Sequence, residues 1–548
     1  MITKALKHVR IILIIFLIAS CHKDSNMTID SPIELNKFIH TFGKEIIAAN
    51  GTPIYLKGVA FGNNVWSNNS ISYLDDHSEI DFERVHQMGM NVVRFYLNYL
   101  FFESDAIPYQ YSQSGWDWLD KNVQWAKSHK VYLILNMHVP QGGFQSQGNG
   151  DALWSNIENQ KRLTALWKAI ANRYADETQI IGYGLINEPI PTESVGQWGG
   201  LAQNMINAIR QVDNNHIIFV ERALYVKGNY LDDENYNFPI VNDSNLVYEF
   251  HSYEPFLYTH QLLDFANLGD GGKYPDTDIA QLTSLPNWYT ATFNNPTLPI
   301  GNSDWQYYEG VKYQITDTNI SIGYPALVGA YTQGNIYFDD IEINEYDVNQ
   351  QFIRTIIALD LNTLINWHFW SSNNQGSYAV SNQNGHINNQ SIVISDATGD
   401  CNLSNPSAMF IPKQNYFYQI NGWMKGNQIA SNAFGQFRID FNHSDTPVKV
   451  RDKDYLNYIL TQLAQWANTK QVPLYMGEFG AGLPCFQNNK GGLTFVRDMI
   501  TLSKEKNIHF SYHVYNGGYF GIYTLDGPQQ IPTYINQPLV DLFKNLLK

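Results

Sequence analysis

The sequence predicts an α/β fold, a (β/α)8 barrel opened between its sixth and seventh strands by an inserted antiparallel β-sandwich. Three observations lead there. From about residue 42 to residue 260, six short runs that are apolar at nearly every position alternate with amphipathic helical patterns. Strands buried on both faces and joined by helices belong to a parallel sheet. From Tyr258 to about Val448 that rhythm stops, and short alternating runs rich in Asn, Tyr and Gly take its place. It then resumes for two more strand–helix units, which completes the eight that a barrel needs.

Taken in order, the strands are expected at Tyr55–Phe61, Asn91–Leu97, Val131–His138, Ile180–Glu188, His216–Glu221 and Leu246–His251. Helical periodicity separates them at Ile80–Met88, Trp116–Ser128, Asn159–Tyr174 and Gln197–Val212. After the interruption come a helix at Asp452–Lys470, strands at Val472–Glu478 and Ile508–Val514, and a terminal helix at Leu539–Leu547. Within the interruption, Gly310–Asp317, Asn335–Tyr346, Asn415–Met424 and Gly435–Phe441 read as strands of a sandwich. The chain so divides into a leader (1–20), a tether (21–40), a barrel in two pieces (41–284 and 448–548) and the inserted sandwich (285–447).

The leader carries Lys4, Lys7 and Arg10, then the unbroken apolar run Ile11–Ala19, which is too short to span a bilayer. Ile18-Ala19-Ser20-Cys21 resembles the lipobox of bacterial lipoproteins, which implies cleavage before Cys21 and a lipid on that residue. The expectation is an exported protein, lipid-anchored at an outer membrane or cell surface. Cys401 and Cys485 are too few for a disulfide framework and are expected to be free thiols.

With 35 Lys+Arg against 51 Asp+Glu the net charge is −16, which disfavours nucleic acid as a partner. Aromatic residues make up 14% of the chain, and that favours a neutral ligand met by ring faces. No Walker loop, HExxH or strand-following GxGxxG is present, so no cofactor or metal is expected, and a monomer is.

Functional residues of such barrels sit at the C-terminal ends of the strands. Those ends carry Arg94, His138, Asn187, Glu188, His251, Tyr253, Glu478 and His513. Two carboxylates facing each other among His, Tyr and Arg suit the acid and the nucleophile of glycoside hydrolysis. Glu221 and Glu249 also lie on strands and read as structural, although Glu249 competes for a role. Gly184-Leu185-Ile186-Asn187-Glu188-Pro189 with Tyr475-Met476-Gly477-Glu478-Phe479-Gly480 resembles glycoside hydrolase family 5 of clan A. The resemblance covers about residues 40–260 and 450–545.

The resemblance implies Glu188 as acid/base and Glu478 as nucleophile, held ionised by Arg94 and Tyr253. Asn187 would meet the sugar 2-hydroxyl, with His138 and His251 lining the same subsite. It implies retention of configuration and a β-1,4-glucan substrate, with β-mannan as the alternative and a non-cutting glycan-binding protein as the rival. The family's usual strand-eight Trp is missing from Ile508–Gly521, which leaves His513 or Tyr515 for that place. Trp66, Trp154 and Trp198 are candidate sugar platforms or core residues.

The insert resembles carbohydrate-binding jelly rolls of the family 4 and 9 type in Gly334–Ile341 and Tyr416–Lys425. Trp367, Trp370, Trp423, Tyr416 and Tyr418 are its candidate stacking residues. Asp339 and Asp340 form either a calcium site or a simple strand end.

Overall fold

The computed structural model describes residues 36–548, apart from 67–73, 75, 147, 228–233, 267, 282–286, 365 and 527–530. The leader, Cys21 and most of the tether lie outside the described residues. Eight parallel strands close a barrel: β1 (Lys57–Phe61), β2 (Val92–Asn98), β3 (Tyr132–Val139), β4 (Ile180–Gly184), β5 (Ile217–Glu221), β6 (Leu246–Ser252), β7 (Leu474–Phe479) and β8 (Ile508–Tyr512), with β8 returning to β1. Nearly every residue in them is buried, as their continuous apolar character requires.

The helices cover the outside by their apolar stripes. Ile157–Tyr174 starts on an Asn156 cap and buries Leu163, Leu166, Trp167 and Ile170, one face of a 3.6-residue period. The Trp167 indole also donates to the Leu185 carbonyl at 3.0 Å, which fixes the segment just after β4. Inside the barrel, the N-terminal end is filled by Val92, Ile134, Ile181, Ile217, Phe219, Val247 and Tyr475. A hairpin absent from the sequence reading, His40–Phe42 with Glu45–Ile47, closes that end by adding Ile39 and Ile46 to the same cluster.

Between β6 and β7 the chain builds two antiparallel sheets, one of five strands and one of seven. Asn335–Tyr346 and Phe417–Ile429 pair at the centre of the larger sheet. Gly301–Glu309, which alternates half-buried and exposed residues and went unread in the sequence, flanks them. Of the expected strand at Gly310–Asp317 only Tyr313–Gln314 is extended in a ladder. A short pair, Asp276–Ala280 with Val450–Arg451, forms the neck where the chain leaves and re-enters the barrel. Arg354 of the sandwich bonds Asp276 and Asp278 of the neck and the buried Glu345 of its own sheet. Lys413 adds a second cation to Asp278 and Glu345.

Replacing Arg354 by Ala leaves the buried Glu345 with one partner fewer and unpins the neck. We expect about 1–3 kcal/mol of destabilisation, read by calorimetry as an earlier transition of the sandwich with the barrel transition little moved. A single unshifted transition would contradict this role.

Candidate active site

The strand ends converge on Glu478, the penultimate residue of β7. Its Oε1 accepts from Arg94 Nη1 at 2.7 Å and from the Tyr96 hydroxyl at 2.5 Å. Its Oε2 accepts from the Tyr253 hydroxyl at 2.6 Å. Burial alone would push this carboxyl up, but the groups around it, His251 foremost and then His513 and Arg94, hold it well below the usual carboxylate range. Arg94 and Tyr96 project into the barrel together because residues two apart on a strand share a face. Tyr96 was not singled out in the sequence; its position two after Arg94 was the available signal.

Arg94 is fully buried and meets three carboxylates. Besides Glu478 it lies 2.6 Å from Glu249 through Nε and 3.3 Å from Glu221 through Nη2, while Nη2 also donates to Asn187 Oδ1 at 3.0 Å. Glu249 occupies space that only a glycine on β7 leaves open: a Cβ on Gly477 would stand 1.9 Å from Glu249 Oε1. The glycine before the nucleophile position is therefore a packing requirement of the Arg94 clamp.

Glu188 reaches the same centre from a turn. β4 ends at Gly184, four residues earlier than expected, and Glu188 adopts a left-handed φ of 42°, so it cannot extend the ladder. The backbone is tied there by Asn187 N donating to Met137 O. His251 Nδ1 lies 2.9 Å from Glu188 Oε1 and 3.7 Å from Glu478 Oε2, so one ring nitrogen spans both acids. Its Nε2 faces Glu221 at 3.4 Å and Glu249 at 3.6 Å. Burial opposes a charged ring, yet these carboxylates raise His251 well above its ordinary value, and it keeps its proton. Burial raises Glu221, and the nearby Glu249 adds to this. Asn187 Nδ2 and His138 Nδ1 are buried without a hydrogen-bond partner, two orphans beside the carboxylates.

Residues 47–295 match the model of the family described as Cellulase (glycosyl hydrolase family 5). Over its first six strands the barrel matches glycosyl hydrolase family 5. The chain is 32% identical over 186 residues to Endoglucanase C of Acetivibrio thermocellus, covering 34% of this chain and 52% of that one. It is 30% identical over 245 residues to an endoglucanase of Paenibacillus polymyxa, covering 40% and 60%, and 27% identical over 187 residues to Cellodextrinase A of Ruminococcus flavefaciens, covering 33% and 53%. The chain spans about half the length of the curated relatives it matches.

His513 stands just past the end of β8 and faces the cleft, with its Nδ1 3.5 Å from Glu478 Oε2 and 3.1 Å from the Tyr96 hydroxyl. Tyr515 does not reach the cleft. β8 ends at Tyr512, and Tyr515 turns back into the barrel wall, fully buried, its hydroxyl donating to Asp81 at 2.6 Å. His138 stacks on Tyr96 at 3.9 Å, and burial lowers it well below the imidazole range, so it is neutral.

Of the three tryptophans, Trp66 is 44% exposed and stands edge-on to His138, Tyr96 and His513. Trp154 and Trp198 are core residues whose indoles donate to Gln145 Oε1 and to the Glu221 carbonyl. In the sandwich, Trp367 and Tyr418 are buried, which removes them as stacking candidates. Trp370 is exposed, Tyr416 is half-buried, and the half-buried Trp423 is stacked by His386 at 3.6 Å.

Among the described residues, two groups have the donors for a cation. Glu188, Glu221 and His251 lie close enough, but the protonated His251 opposes a metal ion there. Asp339, Asp340 and Asp360 also cluster; burial pushes Asp339 up to about 7, and His386 already bonds Asp339 and Asp340. Cys401 and Cys485 are free and buried.

The raised His251 gives a stability signature. A group whose folded value lies above its unfolded one stabilises fully below about pH 6.5 and loses that contribution as pH rises through the folded value. The gap in urea-unfolding stability between the unaltered protein and His251→Asn should therefore be widest near pH 6 and shrink on the alkaline side. A gap independent of pH would refute the charged ring.

Proposed function

We propose that the protein is a retaining endo-β-1,4-glucanase in which Glu478 is the nucleophile and Glu188 the acid/base. The observation that carries this is the environment of Glu478: three donors, with the charges of Arg94 and His251 beside it, keep it ionised, while Glu188 approaches through a shared His251 nitrogen. The two contacts to that nitrogen limit the separation of the facing carboxyl oxygens to the short end of the range for an inverting, water-separated pair, and so favour direct attack.

In the first step a Glu478 oxygen bonds to the anomeric carbon while the glycosidic C–O bond breaks and the Glu188 proton passes to the leaving oxygen. Protonated His251 lies against the carboxylate that this leaves on Glu188. In the second step Glu188 takes a proton from water, the water oxygen bonds to the anomeric carbon, and Glu478 is released. The free Nδ2 of Asn187 is positioned to donate to the 2-hydroxyl, a bond that strengthens as the oxocarbenium-like transition state forms. The named activities of the relatives support glucan over mannan as substrate.

Export and anchoring through lipid on Cys21 belong to the same reading, on the strength of the basic leader, its apolar run and the small residues before the cysteine. Among the described residues no helix is long and apolar enough to cross a membrane. Glycan binding by the sandwich rests on its resemblance and on the accessible ring of Trp370.

Reducing-end release from carboxymethyl cellulose, barley glucan, xylan and mannan tests the assignment. Activity is expected on the first two, with Glu478→Gln or Glu188→Gln lowering kcat by at least about 10³-fold and the first-formed product keeping the β configuration by NMR. Inactivity on all four substrates would sink the hydrolase reading, and mannan alone would replace the substrate. Tyr96→Phe removes one donor to the nucleophile and should lower kcat by roughly tenfold or more; unchanged kinetics would remove Tyr96 from the machinery.

A further inference from the structure

Two aromatic rings stand on the open rim of the cleft, outside the machinery described above. Phe265, in the loop after β6, is 55% exposed, and Tyr519, in the loop after β8, is 45% exposed. The two pack edge to face with centroids 5.0 Å apart. Both loops follow the C-terminal ends of barrel strands, the face that carries Glu188 and Glu478.

A continuous series of rings links this pair to the nucleophile. Tyr253, which donates to Glu478, lies 5.8 Å from Phe520, and Phe520 lies 6.4 Å from Phe265. His260 fills the space between, within 5.0 Å of Tyr253, 5.1 Å of Phe520 and 6.0 Å of Phe265. Phe520 and His260 are buried, so between Tyr253 and the rim the series stays out of solvent and emerges at Phe265 and Tyr519.

The presentation of Phe265 is enforced. Leu262 takes a left-handed φ of 57°, costly for a bulky side chain, and its N–H closes the loop on the carbonyls of Leu268 and Gly269. Leu263 anchors the loop in the barrel core. Leu268 packs against the core of the sandwich, and a Cβ on Gly269 would stand 2.4 Å from the Ala358 carbonyl. On the other side, the Tyr519 carbonyl accepts from Leu483 N at 2.8 Å. A loop closed, anchored and backed in this way while its aromatic ring points to water is built to meet something outside the protein.

We propose that Phe265 and Tyr519 form a stacking platform, an outer subsite for one pyranose ring of a β-1,4-glucan chain running outward from the catalytic carboxylates. An equatorially linked glucose ring has apolar C–H faces and hydroxyls at its edges, so an aromatic face takes the ring and leaves the hydroxyls in water. The inserted sandwich contributes to this subsite without supplying a ring, because it backs the loop that carries Phe265. The platform rests on the glucanase reading of the cleft.

The full chain carrying Phe265→Ala, Tyr519→Ala or both is compared with the unaltered protein on cellotriose and cellohexaose. The double variant should raise KM for cellohexaose by about tenfold with kcat nearly constant, while cellotriose kinetics change by less than about twofold. Leu268→Ala should give a smaller KM rise with the same chain-length dependence. An unchanged KM for cellohexaose, or equal losses on both substrates, would overturn the platform. If the unaltered protein cuts no glucan, the glucanase reading falls; calorimetric binding of cellohexaose then decides, and an equal Kd for the double variant would overturn the platform as well.

Discussion

The ionic contact between Arg94 and its three carboxylates is the constraint on which the rest of the site depends. A guanidinium without exposure to water is tolerable only if opposite charge surrounds it, and Glu249, Glu478 and Glu221 supply that charge from β6, β7 and β5. The same contacts fix where Glu478 can point, and they require Gly477, since any larger residue would displace Glu249. His251 extends the arrangement: it answers the surplus of negative charge on one side and reaches both reacting carboxyls on the other. A network of this kind is costly to assemble and is justified by the fixed charge it presents to a ligand rather than by net stability.

The barrel tolerates a large insertion because it is placed where barrels are least constrained, in a loop on the C-terminal face. The neck strands hold the two crossing points together, and Arg354 and Lys413 saturate the acids there. The sandwich is consequently packed against the cleft wall through Leu268 and Gly269 rather than hung on a linker.

Much of this was legible in the sequence because buried parallel strands leave continuous apolar runs, and because a charged residue at the end of such a run needs a reason. Arg94, Asn187, Glu188, His251, Tyr253, Glu478 and His513 stood out on that ground and do converge. What failed to show has physical causes. Tyr96 looks like an apolar strand residue until its hydroxyl is seen on Glu478. Tyr515 looked like a cleft residue because the chain direction after β8 cannot be read from composition, and the strand stops at Tyr512. Glu188 extended the fourth strand on paper, but a left-handed backbone conformation carries no compositional mark in a glutamate. Gly301–Glu309 escaped because no residue of it is fully buried, and its half-buried face carries Gly301, Ser303, Trp305 and Tyr308 rather than a regular apolar series.

The insertion also sets an order of assembly. The nucleophile's strand, β7, pairs with β6 across more than two hundred intervening residues, so a ribosome delivers six barrel strands and the whole sandwich before the sheet can close. Joining ends across so long a flexible loop costs chain entropy, though the cost grows only with the logarithm of length. A sandwich that folds first would shorten that gap to the width of its neck and deliver β7 beside its partner. Until then β6 has an open edge, the kind of surface that invites pairing with another chain. The rate at which the sandwich folds therefore governs how long the barrel is exposed to aggregation.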